Sequence, residues 1–521
     1  MTAISEAAVA PAAPARMPRQ IPFIIANEGC ERFSFYGMRN ILTPFLASTL
    51  LLYLPESERA GMAKEVFHSF VIGVYFFPLL GGWLSDRFFG KYRTTFWFSL
   101  IYCAGHACLA VFDDNRQGFY AGLFLIALGS GGIKPLITAF VGDQFDQSNK
   151  HLSKTVYDAF YWIINLGSFF ASFSMPLFLR HYGASVAFGI PGILMLVATL
   201  VLWSGRHRYV IVPPSPPDPD SVLNVSRTAL LAAKPGESRP GLVLAGIGSV
   251  LALGALAMIP SLGFVAAFCL ALVIVLVFFG VGTWQQLDRA VGKHSPEAVE
   301  AVRAVLRVLI IFALVTPFWS LFDQKASTWI LQANKMTKPE WFEAAQMQAI
   351  NPALVMLLIP FNHAVTYPLL RRAGYEPTPL RKMTAGIVFT GLSWIIVAIM
   401  QMVIDGGAPV SITWQILPYA VLTFGEVLVS ATAYEFAYSQ APSSMKSVLM
   451  AFYLLSNTVG NLWVLLVNAS VKNDAVTSRI AATGVSVTAF QMFFFAGFAL
   501  VVALIFGLYA RGYKVVDYYR S

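Results

Sequence analysis

Charged residues are scarce in this sequence. Only 12% of its 521 residues are Asp, Glu, Lys or Arg, whereas 57% are hydrophobic and the mean hydropathy is +0.65. An average soluble domain has about 25% charged residues. A chain this apolar does not fold around one water-surrounded core, because lipid must accept much of its surface. The composition therefore predicts a polytopic membrane protein embedded in a lipid bilayer.

Cysteine is also scarce, and several chemical signatures are missing. The four cysteines lie inside apolar runs without metal-ligand or disulfide spacing, so we interpret them as small core residues. The loops contain no nucleophile beside a base, no metal cluster and no phosphate-binding loop. We therefore predict neither an enzyme nor a channel, and we predict no cofactor and no metal. The first 20 residues are rich in Ala and Pro and lack an apolar core, so a disordered tail is expected there instead of a signal peptide.

The net charge of +9 describes topology and not a nucleic-acid partner, because membrane proteins collect Lys and Arg on cytoplasmic loops. If the N-terminus is cytoplasmic, most Lys and Arg residues fall on the cytoplasmic side. These include "RHR" after the sixth span and the basic residues of the C-terminal tail. The distribution predicts a multi-pass protein with both termini in the cytoplasm, and we expect its membrane to be the cell inner membrane. We also expect it to function as a monomer.

Fourteen apolar runs have the length of membrane-spanning helices and follow a pattern of six, two and six. They cover residues 21–52, 63–84, 94–112, 119–142, 155–180, 184–204, 241–259, 262–286, 304–332, 346–370, 383–404, 412–439, 444–470 and 487–510. A Pro-rich linker that is not expected to form a continuous helix follows the sixth run.

Four regions follow from this pattern. They are a disordered tail over 1–20, a six-helix bundle over 21–205, a cytoplasmic linker with a two-helix hairpin over 206–300, and a second six-helix bundle with its tail over 301–521.

Two six-helix halves joined by a cytoplasmic linker are typical of secondary transporters that bind substrate between the halves. Between the second and third runs, "GGWLSDRFFGKYR" resembles the signature of the major facilitator superfamily, with Asp86, Arg87, Gly90 and Lys91 in matching positions. We expect these residues to be structural, with Asp86 capping the third helix. The predicted fold class is thus an all-α polytopic membrane protein with the major facilitator fold and 14 transmembrane helices.

The stretch "NEGCERFSFYGMR" places four charged residues inside the first span. At 100° per residue, Glu28, Glu31, Arg32, Tyr36 and Arg39 lie within about 140° of arc on a helix. A charge at the middle of a bilayer costs about 2.5–3.5 kcal/mol on insertion scales, so it normally faces a cavity or a partner. The stripe is therefore expected to face the interior of the bundle.

Further charged residues lie inside other spans. They are Lys134, Asp323, Lys325, Glu426 and Glu435. The interior cations concentrate in the first half, and outside the first span the interior acids belong to the second half. A cavity between the halves would then be polarised from one wall to the other. A zwitterionic substrate fits such a cavity.

Several motifs resemble those of the proton-dependent oligopeptide transporter family. "EGCERFSFYG" is similar to its E-x-x-E-R-F-x-Y-Y-G motif, and "FYWIINLGS" to its F-Y-x-x-I-N-x-G-S motif. "GGIKP", "FWSLFDQ", "QMQAINP" and "EVLVSATAYEFAYSQAP" are similar to further segments, in the expected order. The extra hairpin resembles an insertion of bacterial members. Phe35, where the motif more often has Tyr, and the extra cation Lys325 are departures.

The resemblance implies a proton-coupled importer of di- and tripeptides that works by alternating access. It implies two sets of residues. The proton-coupling set is Glu28, Glu31, Arg32, His68 and Asp323. The substrate-binding set is Tyr36, Arg39, Tyr75, Lys134, Tyr161, Asn165, Trp319, Asn351, Glu426 and Ser430.

Other interpretations stay open at this level. The acids of the first span could form a purely structural ion cluster. Arg39 and Lys134 could pair with Asp323 and Glu426 across the halves, and His68 could be a packing residue. Relatives of the same fold carry nitrate or other small anions, but Glu426 would repel a bare anion.

Overall fold

The computed structural model describes residues 17–146, 149, 152–214, 216, 218–233, 238–440 and 445–513. The protein is almost entirely helical over these residues. Most of the predicted N-terminal tail, residues 1–16, lies outside them. The end of that segment packs on the first half, since the Gln20 side chain donates a hydrogen bond to Gln144 at 3.2 Å.

Six long helices build the first half. They are α1 (Ile21–Phe45), α2 (Glu56–Leu84), α3 (Lys91–Val111), α4 (Arg116–Gly131), and α5 and α6, which share the segment Ser153–Ser204. Gly183 interrupts that segment with a φ of +81°, which glycine adopts without strain, so α5 covers 153–182 and α6 covers 184–204. After a break at Gly132, the chain of α4 continues as a short helix, Lys134–Gly142.

The linker and the hairpin insertion follow. The hairpin consists of α7 (Pro240–Ala257) and α8 (Phe264–Gln286), which pack closely because Gly241 and Gly282 bring the two backbones together. The linker also contains a ten-residue helix, Val222–Leu231, which the sequence did not predict. Ser221 caps this linker helix, and its apolar side is buried, so it forms despite the surrounding prolines.

The second half repeats the arrangement of the first. Its helices are α9 (Pro296–Asp323), α10 (Ile350–Phe361), α11 (Pro379–Asp405), α12 (Ile416–Ser439), α13 (Lys446–Ser470) and α14 (Val487–Gly512). The segment predicted as one span over 304–332 is not a continuous helix. The α-helix ends at Asp323, a 3₁₀ turn covers Gln324–Ala326, and a new helix covers Thr328–Asn334. The break places charged side chains where the backbone is irregular.

The predicted membrane fold is confirmed. Eleven helical segments in the described ranges are long and apolar enough to cross a membrane. One of these segments contains both α5 and α6. The helices α1 and α9 have the length of a span but carry more charged residues. These helices together account for the six, two and six pattern.

The loop between α2 and α3 differs from its prediction. Asp86 lies in a π-helical turn, Ser85–Phe89, and does not cap α3, so that expectation was wrong. The residue before α3 is Gly90, whose φ of +75° turns the chain, and its carbonyl accepts from the Thr94 hydroxyl at 2.9 Å. Arg87 lies in the same turn. Lys91 pairs with Asp143 at 2.7 Å and thereby ties α3 to the end of the short helix Lys134–Gly142.

The two halves meet along α2 and α13, and along α5 with α10. Because α1 runs from Ile21 to Phe45, its ends define two faces of the molecule. We call the face at Ile21 the first face and the face at Phe45 the second face. Polar contacts join the halves toward the second face, including Thr43 to the carbonyl of Ala326 at 2.8 Å and Lys472 to Glu65 at 2.6 Å. The halves are thus held together at the second face.

Candidate functional site

The charged stripe of α1 begins with a compact ion cluster. The Nε of Arg32 lies 2.7 Å from Oε1 of Glu28 and 2.9 Å from Oε2 of Glu31. All three side chains are buried, so they face the protein interior as the helical pattern predicted. One guanidinium therefore serves two carboxylates, and we call Glu28, Glu31 and Arg32 the Arg32 cluster. Among the described residues, neither Glu31 oxygen accepts a hydrogen bond beyond this ion pair with Arg32, so Glu31 can still accept a proton or another donor.

Lys134 begins the helix that follows the break in α4, and it lies beside this cluster. Its Nζ is 3.5 Å from the centroid of the Phe35 ring and 5.6 Å from that of Tyr75. Lys134 also interacts electrostatically with Glu28 and Glu31. It is partly exposed and forms no ion pair with Glu426. Phe35, which departs from the family motif, thus supplies a cation–π contact where a hydroxyl was expected.

Arg39 joins the two halves. Its Nη2 donates to Oδ1 of Asp323 at 2.6 Å, and both side chains are buried. Asn461 of α13 donates to the other carboxylate oxygen of Asp323 at 2.9 Å. A charge-assisted hydrogen bond of this length is among the stronger polar contacts in proteins. Of the cross-half pairings considered from the sequence, the structure contains Arg39 with Asp323.

His68 of α2 lies next to this pair. Its Nδ1 is 2.6 Å from Oδ1 of Asn461, and its Nε2 is 2.9 Å from the Ser327 hydroxyl. The ring is buried and bonded at both nitrogens to the second half. His68, Asn461, Asp323 and Arg39 therefore form one hydrogen-bonded chain between the halves. We call these four residues the gate network.

A second polar chain lies within the second half. The Nζ of Lys325 donates to Oδ1 of Asn351 at 2.6 Å, and the Asn351 amide donates to Oε2 of Glu426 at 2.5 Å. Lys325 also lies 3.4 Å from the centroid of the Phe322 ring. One amide side chain thus separates a cation from a carboxylate.

The remaining predicted substrate residues surround these charges. Trp319 donates from its indole nitrogen to the Ser456 hydroxyl at 3.1 Å, and the Tyr453 hydroxyl donates to the carbonyl of Ser430 at 3.1 Å. Asn165 donates to the carbonyl of Tyr161 in its own helix at 2.9 Å. Trp319 and Ser430 are partly exposed.

Polar groups from both halves lie near one another between the halves, and we call the space among their partly exposed side chains the chamber. Tyr36 of α1 and Tyr161 of α5 interact electrostatically with Glu426 of α12, and Tyr36 also interacts with Arg32 and Arg39. Lys134, Tyr75 and Glu426 are partly exposed beside them. Glu435 is the exception among the predicted interior acids, because it is exposed near the end of α12.

Sequence reasoning missed two members of the site. Asn461 is one of two asparagines spaced four residues apart in an otherwise apolar stretch of α13, and that spacing was the available signal. Lys325 was expected among the interior charges but was not assigned to the site, yet it lies in the chain to Glu426. A cation inside an apolar run needs a partner, and that was the available signal.

This arrangement can bind charge of both signs. Lys134 faces the chamber from the first half and Glu426 from the second, while the Arg32 cluster and the gate network lie buried beside them. A change of charge at one carboxylate alters what its cation partner can bind. The site is therefore suited to a charged solute together with an ion.

The sequence profile of the POT family matches residues 92–238 and 285–485. Peptide transporter 3 of Caenorhabditis elegans is 32% identical over 74% of this chain and 51% of its own length. Solute carrier family 15 member 2 of Mus musculus is 31% identical over 75% of this chain and 50% of its own. This chain thus spans about half the length of the curated relatives it matches.

Two solved structures are much more similar. One is an auto inhibited POT family peptide transporter, and the other is the POT family transporter PepTSo. Each is 65% identical with a TM-score of 0.95, and the matches cover 97% and 96% of this chain and 99% of each of theirs. The family expected from the motifs is confirmed: this chain belongs to the POT family of polytopic membrane transporters.

Proposed function

We propose that this protein is a proton-coupled symporter that imports di- and tripeptides by alternating access. The observation that supports this proposal most strongly is that charges of both signs from the two halves lie together, with Arg39 paired to Asp323 across the halves and with Lys134 and Glu426 partly exposed. The peptide transporters among its relatives and similar structures support the same substrate class. No cofactor is required, since the proton is the coupling ion.

The chamber suits a zwitterion. A peptide carboxylate would bind Lys134, and Arg39 would add to this site when the gate network opens. Tyr36 and Tyr75 lie on the same side. The peptide amino group would bind Glu426, with Asn351 and Asn165 near the peptide backbone. Trp319, Tyr161 and Ser430 would contact the peptide side chains. An extended dipeptide spans about 7 Å, so its two charged ends can bind different side chains.

Proton coupling would act through the Arg32 cluster. With both carboxylates ionised, Glu28 and Glu31 engage Arg32 and interact with Lys134. Protonating one carboxyl group removes a negative charge, and Lys134 is then less strongly held by the cluster. The freed cation can bind the peptide carboxylate, so proton binding favours peptide binding. This exchange of partners is the physical basis of coupling that we propose.

Alternating access would depend on the gate network. Arg39 and Asp323 bond across the halves toward the second face, and His68 bonds to Asn461 and Ser327 beside them. Opening the second face requires these contacts to break. A state without them would need water or substrate to replace each partner. His68 would share in this step because both of its ring nitrogens bond across the interface.

Uptake into liposomes tests the proposed function. The purified full chain is reconstituted, an inward proton gradient is imposed, and accumulation of labelled dialanine is measured with and without a protonophore. We expect accumulation with the gradient only, and competition by di- and tripeptides but not by nitrate. Absence of uptake across a peptide panel would reject the peptide assignment. Competition by nitrate would favour a small-anion symporter.

We further propose that the protein resides in the cell inner membrane as a functional monomer. The first face, which carries the linker, would be cytoplasmic, because the basic clusters lie there. The chamber would then be closed toward the outside in this structure. Labelling of single introduced cysteines at the two faces in intact cells tests this orientation.

A further inference from the structure

A polar depression lies on the first face, between the linker helix and the segment that joins α8 to α9. Its volume is about 480 Å³. Asn224, Arg227 and Thr228 contribute from the linker helix, and Lys293 and His294 contribute from the joining segment. The depression is remote from the chamber, and the proposed transport cycle uses none of these residues. We call it the linker pocket.

The linker pocket has an excess of positive charge. Arg227 and Lys293 are exposed, and none of the described lining residues is Asp or Glu. Asp220 lies at the edge of the pocket and is bonded to Nδ1 of the lining His294 at 2.7 Å, and Asp288 pairs with Arg303 at 2.5 Å. Two cations therefore line a concave surface on which no described lining residue is acidic. Such a surface attracts anions.

The pocket lies at the level where a membrane meets water. The apolar segment that contains α8 ends at Ala290, three residues before Lys293. Trp284 near the end of α8 is partly exposed, and tryptophan prefers the headgroup region of a bilayer. Leu223 and Val291 are exposed apolar side chains beside the pocket. An anion at this level with apolar surface next to it has the chemistry of a phospholipid.

The walls of the pocket are held in place by buried hydrogen bonds. The side-chain amide of Gln286 donates to the carbonyls of Ala229 and Leu230 at 2.9 and 2.8 Å, and its oxygen accepts from the backbone of Gly241 at 3.1 Å. On the other wall, Nε2 of His294 lies 2.9 Å from the Thr228 hydroxyl. The linker helix is thereby fixed to the hairpin, so the backbone positions that carry the two cations are set before any ligand binds.

We propose that the linker pocket binds the phosphate group of an anionic phospholipid. Arg227 and Lys293 would donate to the phosphate oxygens, with the Asn224 amide as a neutral donor. The acyl chains would extend from the pocket past Leu223 and Val291. Binding would hold the linker helix against the hairpin and the start of α9. This site is independent of the peptide and proton sites.

Native mass spectrometry of the full-length protein in detergent tests the proposal. Phosphatidylglycerol, phosphatidylethanolamine and inorganic phosphate are compared as probes. We expect phosphatidylglycerol to be retained more strongly than phosphatidylethanolamine. Each cation near a charged headgroup contributes about fivefold in affinity, so Arg227→Gln with Lys293→Gln should weaken retention by about 25-fold. Arg371→Gln, which removes an exposed arginine of the first face outside the pocket, is the matched control and should change nothing.

Three results would overturn the proposal. They are equal retention of the two lipids, unchanged retention in the double variant, and stoichiometric binding of inorganic phosphate without lipid binding, which would indicate a free-anion site. Lys293→Arg keeps the charge and should keep the lipid. If Lys293→Arg loses the lipid as the Gln variants do, the effect comes from altered packing and the charge argument fails. Unchanged elution on size exclusion verifies that each variant is folded.

Discussion

The gate network gives the sharpest test of how the two halves are held together. Replacing Asp323 by Asn removes the carboxylate that lies 2.6 Å from Arg39, and both side chains are almost fully buried. An Asn amide also presents a nitrogen donor to either Arg39 or Asn461, and both of these groups are donors themselves. The substitution therefore leaves a buried cation without its counter-charge and adds a donor–donor conflict.

The size of the effect follows from this burial. Breaking a buried ion pair by removing one partner costs about 3–5 kcal/mol. If Arg39 is hydrated once the second face opens, this cost applies only to the closed form. Since about 1.4 kcal/mol is a tenfold change, the closed form should lose about two to three and a half orders of magnitude in relative population. The exposed pair of Glu65 and Lys472 should contribute under about 1 kcal/mol, because solvent screens it.

Distances between spin labels at the second face measure this shift. Ser57→Cys and Ser478→Cys place labels at exposed positions of the two halves, in a background without the four native cysteines. We expect Asp323→Asn to move the distribution to longer distances. Asp405→Asn is the matched control, since Asp405 bonds only to Gln401 and Ser486 of its own half and should leave the distribution unchanged. An unchanged distribution in Asp323→Asn would refute the role given to the gate network.

Three further variants test the Arg32 cluster, the second polar chain and the helix packing. Glu31→Gln should abolish gradient-driven uptake of dialanine and preserve peptide exchange without a gradient, because its amide cannot take up a proton. Lys325→Met should lower the KM for dialanine by up to about tenfold, because a cation no longer competes with the peptide amino group for Glu426. Gly81→Ala should lower the apparent unfolding temperature and cost about 1–3 kcal/mol, since an added Cβ would lie 2.1 Å from the carbonyl oxygen of Gly131.

Each of these variants has its own control. The control for Glu31→Gln is Glu435→Gln, which changes an exposed glutamate and should keep gradient-driven uptake. Gradient-driven uptake in Glu31→Gln would disprove the coupling assignment. An N-acetylated dipeptide lacks the amino group, so Lys325→Met should leave its transport unchanged, and an equal effect on both peptides would contradict the competition. Gly82→Ala adds a Cβ with nothing within 4 Å and should be neutral; equal losses in both glycine variants would argue against the close contact.

Local patterns were sufficient to predict much of this protein. The spans follow from runs of apolar residues, because a segment in lipid must satisfy its own backbone hydrogen bonds while its apolar side chains can face the lipid. The stripe of Glu28, Glu31, Arg32 and Arg39 follows from helical periodicity, and the structure places all four side chains in the interior. Local patterns did not show where α9 ends, because the apolar run continues across the break at Asp323.

The sequence by itself determined the spans, their order and the buried charged face of α1, since each depends on neighbours in one helix. Only the tertiary structure decided which charges meet. Arg39 and Asp323 are 284 residues apart, and Asp323, Glu426 and Lys134 were all open candidates for cross-half pairing. Lys134 instead lies on Phe35, and Lys325 is linked to Glu426 through Asn351. Such choices depend on how the two halves are placed relative to each other, and no local pattern contains that information.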